Sequence, residues 1–344
     1  MELINAGIAG LGYWGPNLIR NVKESGRARW IWLCDLDENK LQKIGTKNPE
    51  AQLTPRFGDI LKDDRVQTVF IATPADTHFE LVKLTLEAGK HCFVEKPLAM
   101  TTEQAVALVN LAEQKKRILM VGHVFEFNDA VLACKELIDS GEIGDLYYLY
   151  SHRVNLGVIR QDCNVLWSLA PHDISITNLL MGCPPEKVAA TGYRLLGGPF
   201  EDVAFIQLYY RGGRVAHLHV SWLDPNKIRR MTLVGSKKMV VYDDVSLDAK
   251  ITIYDKGVDM VRFEAPNSFS EFQFQLRHGN IIIPKIEFRE PLRQEVIHFF
   301  DCVQEGSTPK TDGRKGLSVV QVLEAGQRSM ERRGEVMHCK GCDL

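Results

Sequence analysis

The chain has 344 residues, 45% of them apolar, and this length predicts two or three domains with sizeable cores. Its 42 Lys and Arg residues nearly balance its 44 Asp and Glu residues, so the overall charge does not favour nucleic acid as a partner. No apolar run is long enough to cross a membrane, and the chain enters its first strand without a basic leader, so we expect a cytoplasmic protein.

The first 123 residues alternate between short β-rich runs and helical stretches. The predicted strands cover 3–8, 30–34, 66–72, 91–94 and 118–121, and the predicted helices cover 14–23, 37–43, 77–88, 102–115 and 128–138. Such alternation is typical of a doubly wound parallel sheet with helices on both faces. We therefore predict an α/β fold whose residues 1–123 form a Rossmann domain.

A glycine-rich turn follows the first predicted strand. Gly10, Gly12 and Gly15 stand where strand gives way to helix, which is the context that a dinucleotide-binding fingerprint requires. The first glycine permits a tight turn, the second leaves room for a pyrophosphate, and the third lets helix and strand pack closely. Tyr13 and Trp14 lie inside this turn, so we expect both beside the cofactor.

Asp35 ends the second predicted strand, 20 residues beyond Gly15. An acid at this spacing binds the two ribose hydroxyls of NAD and repels the 2′-phosphate of NADP. No Arg follows at Leu36 or Asp37, so NAD is the expected cofactor. The alternative is a loop carboxylate that caps the next helix.

After Gly144 the pattern changes to strands joined by Gly, Asp, Asn and Pro. The predicted strands cover 147–154, 187–195, 203–210, 214–222, 231–235, 239–242 and 251–254, and the predicted helices cover 165–180, 292–304 and 316–332. Residues 124–344 are therefore predicted to form an α+β domain on a mainly antiparallel open sheet. We expect Val220, Trp222 and Leu233 on its uncovered face, where they would support a homodimer or homotetramer. Residues 267–291 show no clear periodicity and stay unassigned.

The eight cysteines are scattered and indicate no disulfide framework. His338, Cys339 and Cys342 resemble half of a zinc site, but no second pair of ligands stands at a suitable spacing. His217 and His219 would share one side of a strand and lack an evident third ligand. We predict no metal site and interpret these residues as structural.

Ligands of an open parallel sheet bind outside the carboxyl ends of its strands. Four segments after predicted strands therefore stand out: the glycine turn, Ala72-Thr73-Pro74, Glu95-Lys96-Pro97 and Gly122-His123. A lysine held between a carboxylate and a proline at a strand end favours a fixed cation in a cleft over a solvent-facing side chain.

His172 follows Pro171 in the helix predicted over 165–180, and we expect it near the start of that helix. An imidazole with an ordinary pKa near 6.5 is suited to removing a hydroxyl proton while a hydride leaves the same carbon. Asp173 could orient the ring, although adjacent helical residues point in different directions. A satisfied structural histidine is the alternative.

Together these motifs, with His78, resemble the glucose-fructose oxidoreductase, inositol dehydrogenase and rhizopine catabolism family, called Gfo/Idh/MocA. The resemblance spans nearly the whole chain. It implies oxidation of a ring hydroxyl of a sugar or cyclitol, or the reverse, with a nicotinamide cofactor. It also implies a cis Lys96-Pro97 bond, with Lys96 as the catalytic lysine and His172 as the acid/base histidine.

The resemblance implies two sets of binding residues. Those expected to contact NAD are Gly10, Gly12, Tyr13, Trp14, Gly15, Asp35, Thr73, Pro74, His78, Glu95 and Lys96. Those expected to contact substrate are Lys96, His123, Asn155, Arg160, Ser168 and His172. Ser168 departs from the family, whose members often carry Asp there, so an uncharged hydroxyl replaces a carboxylate one turn before the histidine.

The segment from Arg153 to Trp167 is similar to the subgroup that oxidises the 3-hydroxyl of nucleotide-linked amino sugars. Arg153 and Arg160 would suit a diphosphate or a uronate carboxylate, or would form ordinary salt bridges. Three hypotheses follow: a nucleotide-sugar dehydrogenase, a dehydrogenase of a free sugar or cyclitol, and an NAD-binding regulatory protein with weak catalysis, for which Ser168 is the only hint.

Overall fold

The predicted alternation of strands and helices produces a six-stranded, all-parallel sheet in the first part of the chain. The computed structural model describes residues 3–262 and 272–339. The strands are β1 (Ile4–Ala9), β2 (Ala28–Cys34), β3 (Gln52–Thr54), β4 (Thr68–Ile71), β5 (His91–Glu95) and β6 (Leu119–Gly122), in the order β3-β2-β1-β4-β5-β6. The helices are α1 (Gly15–Glu24), α2 (Glu38–Gly45), α3 (Phe57–Lys62), α4 (His78–Glu87) and α5 (Thr102–Lys115). This strand order is that of the Rossmann fold, as predicted.

The second part of the chain builds a nine-stranded mixed sheet, which confirms the predicted mainly antiparallel architecture. Its strands are β7 (Leu146–Val154), β8 (Lys187–Tyr193), β9 (Val203–Tyr209), β10 (Val215–Ser221), β11 (Ile228–Gly235), β12 (Met239–Asp243), β13 (Ile251–Arg262), β14 (Phe272–Ile282) and β15 (Met337–His338). They run in the order β14-β13-β12-β11-β7-β10-β9-β8-β15. Within the described residues, β7 and β10 are the parallel pair. The remaining helices are α6 (Asp129–Asp139), α7 (Val165–Met181), α8 (Pro291–Glu305) and α9 (Gly313–Glu331).

The chain forms two compact units, and each unit combines two separate stretches of the sequence. The first unit combines the residues up to Asn128 with Arg289–Glu324, and the second combines Asp129–Phe288 with the residues from Ala325 on. The predicted domain boundary at residue 123 differs from this division into two units, because α8 belongs with the parallel sheet. Its apolar face supplies Phe299 and Phe300 to the core of the first unit.

Four phenylalanines form the centre of that core. Phe70 on β4 lies 5.2 Å from Phe93 on β5, 5.2 Å from Phe299 and 5.6 Å from Phe300, between ring centroids. All four side chains are fully buried. Burying each ring contributes roughly 1.5–3 kcal/mol, so the sheet and α8 stabilise each other.

One face of the nine-stranded sheet packs against α7, and the prediction of its uncovered face was wrong. Val220, Trp222 and Leu233 are buried rather than exposed. Along the strands they alternate with residues that point to the other face of the sheet, and α7 packs against the face that carries them. The uncovered face instead carries Phe205 and His219, whose rings stack at 4.5 Å.

The segment that the sequence left unassigned contains β14, which pairs with β13. The Arg211–Gly213 turn joins the antiparallel strands β9 and β10, with positive φ at Gly212 and Gly213. In the described parts of the chain, no helix is long and apolar enough to span a membrane. Cys342, part of the half zinc site considered above, lies outside the described residues.

Candidate active site

The glycine turn has the geometry that a dinucleotide needs. Gly10 has a φ of +92°, and a Cβ there would lie 2.5 Å from the Ala72 carbonyl carbon. A Cβ on Gly15 would lie 2.3 Å from the Gly10 oxygen, so strand and helix approach too closely for any other residue. A Cβ on Gly12 would meet nothing within 4 Å. The turn therefore leaves open space for a pyrophosphate at the beginning of α1.

The carboxylate of Asp35 lies beside this turn. Its Oδ2 accepts a hydrogen bond from the Leu11 N–H at 2.7 Å, and its Oδ1 accepts one from the Asp37 N–H at 2.9 Å. Asp37, not Asp35, caps α2, because its Oδ1 accepts from the Asn39 N–H at 3.0 Å. The helix-capping alternative for Asp35 therefore does not hold, and its carboxylate lies at the glycine turn.

The side chains of the glycine turn differ in exposure. Tyr13 is 93% exposed, whereas Trp14 is half-buried against the apolar core of the first unit. Their rings stack with centroids 6.4 Å apart. Tyr13 is thus placed to cover a ligand at the turn, and Trp14 anchors the turn to the protein interior.

The carboxyl end of β4 leads to Thr73 and Pro74. The Thr73 hydroxyl lies 2.6 Å from that of Thr77. His78 lies with its Nδ1 2.7 Å from the Pro97 oxygen and its Nε2 3.0 Å from the Thr73 oxygen, and it is buried. Burial lowers the pKa of His78, and the hydrogen bonds to the Pro97 and Thr73 carbonyl oxygens oppose this shift. His78 thus joins the loops after β4 and β5, which is an indirect role toward a cofactor.

Glu95 ends β5, and the Lys96–Pro97 bond that follows is cis, as predicted. Glu95 pairs in register with Gly122 on β6, and a Cβ on that glycine would lie 3.1 Å from Glu95 Oε2. Burial raises the pKa of Glu95 to about 7, although the adjacent Lys96 charge opposes this shift. The half-buried Lys96 therefore stands beside a carboxyl group that titrates near neutral pH.

His123, expected to contact substrate, is buried in the first unit with only 1% of its surface exposed. Burial, with the Lys96 and Lys315 charges, lowers its pKa to about 3. The ring is therefore neutral at every physiological pH. His123 therefore lies in the interior of the first unit, directly after β6.

In the second unit, α7 carries the predicted histidine. His172 is the eighth residue of the helix, two turns in rather than near the start, and it is half-buried. Ser168 lies one turn earlier and is also half-buried. Residues four apart share a helix face, so the hydroxyl and the imidazole lie on the same side of α7.

The beginning of α7 is held by Asn164. Its Oδ1 accepts from the Trp167 N–H at 3.1 Å, and its Nδ2 donates to Glu201 Oε2 at 3.0 Å and to Gln327 Oε1 at 2.8 Å. An N-cap residue bonded in this way fixes both the start and the direction of a helix. These contacts of Asn164 therefore fix the start of the helix that carries His172.

Asp173 does not orient His172, which corrects one expectation. Its Oδ1 accepts from the Ser151 hydroxyl at 2.6 Å, and its Oδ2 accepts from Arg153 Nε. Both members of the Arg153–Asp173 pair are buried, at 5% and 3% exposure. Arg153 is consequently not available to a diphosphate or carboxylate, because it ties β7 to α7.

The remaining predicted substrate residues lie on the segment between β7 and α7. Asn155 is half-buried at its start, and Arg160 is exposed. Arg160 Nε donates to Asp162 Oδ1 at 2.8 Å. Its side chain is 45% exposed, so this pair is the surface salt bridge that the sequence left open as an alternative.

The sequence did not identify Glu126 and Glu295, two buried carboxyl groups of the first unit. Burial raises the pKa of Glu126 to about 7 and that of Glu295 well above its ordinary value. Glu295 lies on the apolar face of α8 with Leu292, Val296 and Phe299. A charged residue inside this helical repeat was the available signal.

Comparison with known proteins identifies relatives of the whole fold. Residues 4–123 match the NAD-binding Rossmann-fold model of the GFO_IDH_MocA oxidoreductase family, and residues 135–337 match the C-terminal alpha/beta domain of that family. The UDP-N-acetylglucosamine 3-dehydrogenase of Acidithiobacillus ferrooxidans is 30% identical over 197 residues, which cover 57% of this chain and 61% of that protein. Its solved structure, at 22% identity, superposes with a TM-score of 0.79 over 96% of this chain and 99% of that one. The scyllo-inositol 2-dehydrogenase (NAD(+)) of Bacillus subtilis is 24% identical over 318 residues, 88% of this chain and 86% of that protein.

Proposed function

Because this chain belongs to the Gfo/Idh/MocA oxidoreductase family, with an NAD-binding Rossmann domain, we propose that it is an NAD-dependent dehydrogenase of a sugar ring hydroxyl. The favoured substrate is a nucleotide-linked amino sugar or uronate, and the favoured position is C3. The Acidithiobacillus relative, a UDP-N-acetylglucosamine 3-dehydrogenase, supports this choice.

The observation that carries the proposal is the position of Lys96. The order β1-β4-β5 places the carboxyl ends of these strands at one edge, so the glycine turn, Thr73 and Lys96 line the same edge. Bound NAD would supply the hydride acceptor there. A lysine ammonium at this edge donates a hydrogen bond to the reacting oxygen and stabilises its developing negative charge.

The second group in the proposed mechanism is His172. Its imidazole, half-exposed on α7, takes the hydroxyl proton as the hydride leaves the same carbon, and it returns the proton in the reverse reduction. Ser168 on the same face of α7 contributes a hydroxyl where the family often has a carboxylate.

Arg160 is the proposed contact for a substrate diphosphate or carboxylate. Its guanidinium is exposed on the segment before α7, and an Asp–Arg pair on the surface is weak enough to exchange partners. A free cyclitol or sugar offers no such anion. The Bacillus subtilis scyllo-inositol 2-dehydrogenase supports that second candidate.

A substrate panel tests the function and separates the two candidates. We expect the wild-type protein to form NADH with a UDP-linked amino sugar or uronate. In the Arg160→Ala variant the KM for this substrate should increase ~10- to 100-fold, because a charge-assisted hydrogen bond is lost. The KM for a free sugar should not change in that variant. Arg211→Ala, in an exposed Arg–Glu pair, is the control. Activity confined to cyclitols would exclude a nucleotide sugar as the substrate. Native mass spectrometry of the purified protein is an independent test, because it would identify a retained sugar or NAD(H).

We further propose that the protein is a homodimer or homotetramer through the uncovered face of its nine-stranded sheet. This face carries the stacked Phe205 and His219 instead of the residues that the sequence suggested. A Phe205→Asp variant should dissociate at micromolar concentration in light scattering, because a charge replaces an apolar contact. The control variant Leu247→Asp should not dissociate, because Leu247 is 90% exposed. A wild-type monomer at that concentration would contradict the proposal.

A further inference from the structure

Three histidines lie on the uncovered face of the nine-stranded sheet, and the proposed dehydrogenase mechanism uses none of them. His217 and His219 alternate along β10, and the parallel pairing of β7 with β10 places His152 directly opposite His219. His217 Nδ1 lies 3.1 Å from Gln207 Oε1. His152 and His219 instead turn their Nδ1 atoms toward each other, so the sheet joins two imidazoles that are far apart in sequence.

The distance between these two rings distinguishes two kinds of contact. His152 Nδ1 lies 3.4 Å from His219 Nδ1, which is longer than the roughly 2.7–3.2 Å of most hydrogen bonds from an N–H donor. Two nitrogens that ligate one zinc ion in a tetrahedron, each at roughly 2.0–2.1 Å, lie about 3.3–3.4 Å apart. The observed distance therefore fits two ligands of one metal ion better than it fits a direct hydrogen bond.

Aromatic neighbours hold both rings in place. The Phe205 ring on β9 stacks on His219 with centroids 4.5 Å apart and planes 13° apart. The Tyr150 ring packs edge-on against His152 at 5.7 Å between centroids. Both histidines are half-buried. Ligands whose rings are already oriented lose less conformational freedom on binding, so these contacts favour a preformed pair.

The charges around the pair are compatible with a bound cation. Arg230 on β11 lies opposite His152 in the sheet, and its guanidinium donates to Asp243 Oδ2 at 3.0 Å and 2.7 Å, which compensates this neighbouring charge. Burial lowers the pKa of His219 and the His152 charge adds to this effect, whereas Asp224 opposes it. A lowered pKa favours the neutral imidazole, which is the form that binds metal.

One chain supplies only part of a zinc site. Among the described residues, no three His, Cys, Asp or Glu side chains converge on one metal position. Strand β7 is the fifth of the nine strands, so the histidine pair lies near the centre of the sheet. In a symmetric dimer that uses this face, a twofold axis near that centre would bring the same pair of a second copy opposite the first.

We propose that His152 and His219 form half of a zinc site, which the same two histidines of a second copy complete. The inference rests on the self-association proposed above and names the chemistry at the centre of that interface. Four neutral imidazoles around one ion provide the tetrahedral nitrogen coordination that zinc accepts. The site departs from the sequence-based prediction of no metal, because its second ligand comes from β7, 67 residues away from the first.

A zinc titration of the metal-free protein tests the site. By isothermal titration calorimetry we expect one Zn²⁺ per two chains, and Mg²⁺ should not compete because it prefers oxygen ligands. His152→Ala and His219→Ala should each weaken the binding at least ~100-fold, because losing a ligand costs more than the roughly 10- to 100-fold of an outer-shell change. His217→Gln, on the same face, is the matched control and should keep the wild-type affinity. No saturable binding, one Zn²⁺ per chain, or wild-type affinity in His219→Ala would overturn the proposal.

X-ray absorption spectroscopy of the zinc-loaded wild-type protein identifies the ligands without any variant. We expect nitrogen ligands at roughly 2.0–2.1 Å with the multiple scattering of imidazole, and no sulfur at roughly 2.3 Å. Sulfur in the spectrum would assign the ion to cysteine, such as Cys339 beside His338, and would refute the histidine site.

Sedimentation velocity tests the link with self-association and needs no substrate. Because the ion binds the dimer better than the monomer, its removal with EDTA should raise the dimer dissociation constant at least ~tenfold. This shift should be absent in His219→Ala and present in His217→Gln. An equally stable dimer with and without EDTA would refute the zinc bridge and leave the proposed dimer intact, whereas a monomer under both conditions would refute both. Neither result depends on dehydrogenase activity.

Discussion

Replacing Lys96 with alanine should lower kcat by at least ~100-fold and leave NAD affinity nearly unchanged. The expected loss follows from its position, since the lysine is the cation that follows β5 at the edge shared with the glycine turn. Lys96→Arg keeps the charge but changes the shape of the donor, so it should not restore full activity. Steady-state NADH formation and a separate NAD titration measure the two effects.

His172→Ala should produce a loss of similar size, because the hydroxyl proton then has no acceptor at that position. If both residues act on one hydroxyl, the double variant should be little worse than either single variant. Lys115→Ala and His278→Ala, both exposed, are controls that should keep wild-type kcat. Full activity in either the Lys96→Ala or the His172→Ala protein would refute the mechanism.

Substitution of Asp173 by alanine should destabilise the protein by about 3–5 kcal/mol, because it leaves Arg153 charged and buried without its carboxylate. The Ser151 hydroxyl loses its acceptor in the same variant. Urea denaturation followed by circular dichroism measures the change. Since the carboxylate joins α7 to β7, kcat should fall as well, because the helix that carries His172 is held less firmly.

The exposed Arg160–Asp162 pair provides the matched comparison. It has the same residue types on the surface, so Asp162→Ala should cost no more than about 1 kcal/mol. Replacing both Arg153 and Asp173 with leucine should recover part of the stability lost in Asp173→Ala, because no unpaired charge remains. Equal costs for Asp173→Ala and Asp162→Ala would show that burial of the first pair has no energetic consequence.

The sequence predicted the elements whose apolar residues have a strong period and clear ends. Helix α5 occupies 102–115, the predicted range, because it is amphipathic and its start is capped by a threonine at position 101. Strand β14 was not predicted, and its described residues Phe274 and Leu276 are both largely exposed. The alternation of Phe272, Phe274 and Leu276 with two glutamines was the available signal for this strand.

The direction of a side chain was harder to predict than its position. The period-two pattern of β10 shows that Val220 and His219 point to opposite faces of the sheet. The sequence does not show that α7 covers the face that carries Val220. Likewise the sequence singled out His172 as a site residue but did not show the partners of its neighbour Asp173. One of these partners, Ser151 on β7, lies 22 residues before Asp173. Contacts between distant segments decide such directions.

The discontinuity of the first unit has a consequence for synthesis of the protein. Phe70 and Phe93 emerge from the ribosome long before Phe299 and Phe300, their aromatic partners in the same core. The parallel sheet can pair its strands early, but its apolar centre stays open to solvent until α8 has been translated. The first unit thus begins to form first and is completed only near the end of translation, an interval in which chaperones that bind exposed aromatic surface have a natural target.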